Sequence, residues 1–78
     1  MKYFLITDND LNNHLLSRGY EPIHSNSEKS IYVKNEEVHM DIIGWCQDNN
    51  RFSKYNKGHY TINTERELEI NLIMMGVK

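Results

Sequence analysis

The spacing of apolar positions changes along this chain, and each change predicts a new element. Residues 2–6 are a short run rich in aromatic and branched side chains, closed by Thr7 and Asp8, which predicts a buried strand. Leu11 and Leu15 then stand four apart with Leu16 beside them, the signature of one apolar helix face. Thr7 or Asp8 supplies an N-cap, and Asp8 and Asp10 put negative charge where the helix dipole favours it. Gly19 supplies a left-handed stop, Tyr20 falls where it packs back onto Leu15, and Pro22 prevents continuation.

Residues 20–24 and 30–34 flank a polar loop of hairpin length, with Ile31 and Val33 on one face and Tyr32 on the other. Pro22 cannot donate to a ladder, so the first arm is expected at a sheet edge. Asn35 reads as a second N-cap followed by Glu36 and Glu37, and Val38, Ile42, Trp45 and Cys46 mark an amphipathic helix ending near residues 48–50. Residues 49–63 have no helical period and predict a loop, with a strand at 59–62. The last element carries two signals. Leu68, Ile70 and Leu72 alternate with polar residues as in a strand, whereas Thr64 and Glu67 form a capping-box pair and Glu, Leu and Met favour helix. The caps favour a helix over 65–75. Together these elements predict one α+β domain over residues 1–78. It holds a small three- to four-stranded antiparallel or mixed sheet, with two or three helices packed on one face.

A chain of 78 residues buries a small share of its surface, and domains of this size gain from a disulfide, a metal or a partner subunit. The single cysteine, Cys46, excludes an internal disulfide and fits the reducing cytoplasm. The apolar run at residues 3–6 is too short for a secretory signal, and nothing approaches a membrane span, so no membrane partner is expected. The net charge is −2, but it is unevenly spread. Residues 1–50 hold four Lys/Arg against eight Asp/Glu, and residues 51–78 hold five against three. The net negative charge argues against a general nucleic-acid coat, and the asymmetry allows like molecules to associate head to tail.

The pattern D-x-D-L-x-x-x-L-L-x-x-G-Y after a short strand is carried by Asp8, Asp10, Leu11, Leu15, Leu16, Gly19 and Tyr20. It resembles small uncharacterised proteins encoded in phages and prophages of low-GC Gram-positive bacteria. The resemblance covers about the first half of the chain. It implies a phage accessory protein, of the kind that inhibits a host enzyme or defence system, and it supplies no functional residues.

Catalytic constellations are not assembled in the sequence. His39 lies seven residues before Cys46, about 10 Å away by helix rise, beyond hydrogen-bond reach. A Cys46-centred site would need His14, His24 or His59 from elsewhere, and the cysteine's place in an apolar stripe predicts a buried structural thiol. The four histidines lack metal-ligand spacing, Glu36, Glu37 and Asp41 share one solvated helix end, and the glycines are scattered singly. No enzyme, cofactor or metal site is expected.

Two stretches carry the functional signal. Arg51, Lys54, Lys57 and His59 interleave with Phe52, Tyr55 and Tyr60, without an acid among them. That mixture suits a protein interface, with a host protein as the expected partner. It also suits phosphate contact with base stacking, the alternative of a small nucleic-acid-binding or regulatory module. The bland reading is a loop that tucks Phe52 and Tyr60 under the core while its lysines stay solvated. At the C-terminus Ile70, Leu72, Ile73, Met74, Met75 and Val77 crowd every side of a helix, which predicts burial against a second surface and a homo-oligomer, with Ile70, Ile73, Met74, Met75 and Val77 as its self-association residues.

Overall fold

The computed structural model describes residues 2–50 and 58–76. Its elements run β1 (Tyr3–Ile6), α1 (Asn9–Ser17), β2 (His24–Ser25), β3 (Ser30–Val33), α2 (Glu36–Asn49), β4 (His59–Ile62) and α3 (Glu65–Met74). The four strands form one antiparallel sheet in the order β2-β3-β1-β4. The apolar run of β1 therefore lies in the middle, with Leu5 opposite Ile31 on one side and Tyr60 on the other. All four of its residues are buried because both faces of the sheet are covered.

Side-chain alternation divides the core in two. Phe4, Ile6 and Tyr32 point to one face, where Leu11 and Leu15 of α1 and Val38, Ile42, Trp45 and Cys46 of α2 close over them. Tyr3, Leu5, Ile31 and Ile62 point to the other, where Leu68 and Met75 complete a smaller cluster with half-buried Leu72. Two helices thus share one face, as the apolar stripes imply, and α3 covers the opposite one. No described helix is long and apolar enough to cross a membrane.

Local signals explain the boundaries. The Asp8 carboxylate accepts from the Asp10 and Leu11 N–H groups at 2.8 and 3.2 Å, so Asp8 rather than Thr7 caps α1. Gly19, at φ +92°, ends the helix with paired N–H bonds, Gly19 to the Leu16 carbonyl and Tyr20 to that of Leu15. Asn35 caps α2 through the Val38 N–H, and Asn50 closes it in the left-handed conformation. The first hairpin arm is shorter than the sequence suggests. Pro22 offers no N–H, so the ladder begins with Ile23 donating to the Ile31 carbonyl at 2.8 Å, and β2 keeps two residues at the sheet edge.

The capping signal decides α3. The Thr64 hydroxyl accepts from Glu67 N–H at 3.1 Å, and the Glu67 carboxylate accepts from Asn63 N–H at 3.0 Å. The helix crosses its face diagonally. Near its start the Tyr3 hydroxyl donates to Glu65 Oε1 at 3.3 Å, and at its end Asn26 Nδ2, from the β2–β3 turn, donates to the Met75 carbonyl at 3.3 Å.

Candidate interaction surface

Helical spacing sorts the side chains of α3 into two opposed stripes. Leu68, Leu72 and Met75 face the sheet. Ile70, Ile73 and Met74 lie on the other side and are 46%, 71% and 69% exposed. Arg66, four residues before Ile70, continues this outer stripe toward the N-terminus and is also exposed. Three large apolar side chains are thus grouped on about one exposed turn of helix, which makes this stripe the candidate contact surface. Of the residues expected to self-associate, Ile70, Ile73 and Met74 are placed together here. Met75 is not among them, because its position one helical turn after Leu72 turns it inward, where it is 8% exposed. Val77 lies outside the described residues.

The basic and aromatic stretch is divided in the same way. Arg51, Phe52, Lys54, Tyr55 and Lys57 lie outside the described residues. His59 and Tyr60 belong to β4 and point to opposite faces. Tyr60 pairs with Leu5, so its side chain lies on the α3 side of the sheet, 44% exposed. His59 pairs with Ile6 and points toward α2, where its Nδ1 lies 3.7 Å from Cys46 Sγ. The structure thus selects His59 from the three histidines that the sequence leaves open as partners for Cys46. The sulfur is fully buried, so the pair ties α2 to β4 and presents no nucleophile to solvent.

A polar clasp on the α1/α2 face has no signal in the sequence. The Tyr20 hydroxyl, just after α1, donates to Asp41 Oδ2 on α2, and Arg18 Nε stands 3.5 Å from Asp41 Oδ1. The hydrogen bond from Tyr20 holds the Asp41 carboxyl below its usual range, and Arg18 adds to this against the opposing effect of desolvation. Tyr20 is raised in turn, chiefly by that same hydrogen bond. Deeper in, the Tyr32 hydroxyl donates to Asn12 Oδ1 at 2.5 Å, and burial raises its pKa. These groups are occupied with one another, and their work is to fix α1 against α2 and the sheet.

Shallow hollows open on the surface of the described residues. One, of about 340 Å³, lies beside Tyr20, Tyr32 and Val38. Another, of about 660 Å³, lies between Lys2, Lys34, Glu36 and His39, where the Lys34 ammonium sits 5.5 Å from the centre of the Phe4 ring. Among the described residues, no three His, Cys, Asp or Glu side chains converge to hold a metal ion. The described residues form a small α+β domain whose largest grouping of exposed apolar side chains is the outer stripe of α3, with Leu16, Ile23 and Met40 exposed singly elsewhere. Comparison with protein-family models, curated proteins and solved structures finds no match to this chain.

Proposed function

We propose that this is a non-catalytic binding protein of the phage-accessory type, acting in the cytoplasm on a host protein through the α3 side of its sheet. One observation carries the reading: Ile70, Ile73 and Met74 stand exposed on the side of α3 turned away from the core. Taking such a side chain from full exposure to full burial is worth roughly 1.5–3 kcal/mol, and proportionally less for half-exposed Ile70, so covering this stripe is a ready source of binding energy. Tyr60, exposed on the same side of the sheet, adds an amphipathic ring of the type enriched at interfaces. The buried state of Cys46 and the mutual pairing of Tyr20, Asp41 and Arg18 support binding over catalysis.

The test is affinity capture from host lysate with the parent and an Ile73→Asp variant as baits, after matching their thermal midpoints. A protein retained by the parent and lost by the variant supports the reading. Identical captured sets overturn it. Capture of nucleic acid that disappears with added salt would favour the module alternative instead.

A further inference from the structure

We infer that the first occupant of the outer α3 stripe is a second copy of this chain, docked antiparallel about a twofold axis that passes between Ile70 and Ile73. The inference rests on the reading of α3 as the contact face and names what covers it. Three features of the helix point to a self-complementary pair.

The first is spacing. A twofold antiparallel pair reads each helix in both directions, so its seam must be compatible with its own reversal. Ile70 and Ile73 meet that condition, because setting Ile70 against Ile73 of the second copy sets Ile73 against Ile70 at once. Both side chains point away from the sheet, so two domains can approach face to face with α3 against α3.

The second is charge. Arg66 is the one cation of α3, and it lies in the first turn, at the end where the helix dipole disfavours it. The last turn of α3 carries no basic residue. Antiparallel docking carries each Arg66 to the C-terminal end of the other helix, where the dipole favours positive charge. The same docking brings Glu69 level with Met74 of the second copy. Parallel docking would instead stack Arg66 on Arg66 across the seam, and like charges at close range suppress that arrangement.

The third is size. A ten-residue helix is about 15 Å long, so its outer face covers a few hundred Å² per copy, below the roughly 800 Å² per partner of a standard interface. The pair is accordingly weak, with a dissociation constant in the range of roughly 10 µM to 1 mM. A contact of that strength covers the stripe at high concentration and still yields to a tighter partner.

Sedimentation of the full chain from micromolar concentration to about 1 mM tests the assembly, and cysteine pairing tests its geometry. The expected result is a monomer–dimer equilibrium that Ile73→Asp weakens at least about tenfold and Arg66→Glu about three- to tenfold. Circular dichroism of both variants should match the parent, since both positions are exposed. Mixing Ile70→Cys with Ile73→Cys chains under mild oxidation should give the mixed 70–73 disulfide ahead of either homodimer, with Cys46 protected by burial. A chain that stays monomeric throughout, or a dimer indifferent to Ile73→Asp, overturns the inference. Faster 70–70 and 73–73 coupling also overturns it, by showing parallel docking. If the chain is monomeric while Ile73→Asp still loses a captured host protein, the second copy is excluded and the α3 contact face stands. If neither assembly nor capture responds to Ile73→Asp, both readings fall.

Discussion

The two faces of the sheet are closed by different means. On one, α1 and α2 turn Leu11, Leu15, Val38, Ile42, Trp45 and Cys46 inward, leave Leu16 and Met40 exposed one on each helix, and are tied in place by polar contacts, Tyr20 and Arg18 on Asp41, Tyr32 on Asn12, and Cys46 beside His59. On the other, α3 spends only Leu68, Leu72 and Met75 on the sheet and keeps an equal number of large apolar groups on its far side. The first face has the chemistry of a finished core. The second leaves Ile70, Ile73 and Met74 exposed together on one helix side. Under the proposed function, stability and recognition take opposite sides of one sheet.

The contrast is open to graded tests. The largest effect is expected at Ile42, fully buried between α2 and the sheet, where Ile42→Ala should cost about 2–5 kcal/mol in urea unfolding through lost burial and a cavity. Gly58 comes next. It adopts φ +69°, its carbonyl accepts from the Thr7 and Asp8 N–H groups, and an added Cβ would come within 2.6 Å of the Asp8 Cβ. Gly58→Ala should destabilise by about 1–3 kcal/mol, read as a lowered urea midpoint.

The clasp is expected to matter less and to depend on pH. Tyr20→Phe should cost about 1 kcal/mol near neutrality by removing one hydrogen bond to a carboxylate. Because the folded-state pKa of Asp41 is depressed, its contribution is present above the unfolded value and is lost as pH falls through the folded one. The parent should therefore lose stability below about pH 4, and Tyr20→Phe should lose less over that interval. Thermal midpoints at neutral and acid pH check the difference. The smallest effect belongs to the far side of α3, where Ile73→Asp should stay within about 0.5 kcal/mol of the parent in the same urea assay. A cost there as large as that of Ile42→Ala would remove the distinction between the two faces.

Much of this architecture is readable from the chain because its signals are local. Asp8, Asn35 and Thr64 are side-chain oxygens placed where orphaned N–H groups need acceptors, and Gly19 sits where the backbone turns left-handed. The inward stripe of α2, Val38 through Cys46, is likewise a matter of spacing. What escaped is long-range. Nothing near Tyr20 announces Asp41, and nothing near Cys46 selects His59 over His14 or His24, because these pairs form only when the sheet brings distant segments together. The placement of α3 on the face opposite α1 and α2 is of the same kind. Its crowding of apolar residues was legible, but the inward turn of Met75 depends on which side meets the sheet.

The position of β1 has a consequence for how the domain assembles. This strand needs β3 on one side and β4 on the other, and the second neighbour arrives more than fifty residues later in the chain. Until β4 docks, β1 exposes one edge of unpaired backbone, and until α3 follows, the face bearing Tyr3, Leu5 and Ile31 stays wet. Local helix formation can run early, but closure of the sheet waits on a contact with a high loop-closure cost. Slow, late consolidation around β4 should therefore limit the refolding rate. A chain cut before β4 would present a hydrophobic edge suited to pairing with its neighbours, so partial products of this domain are expected to aggregate rather than persist.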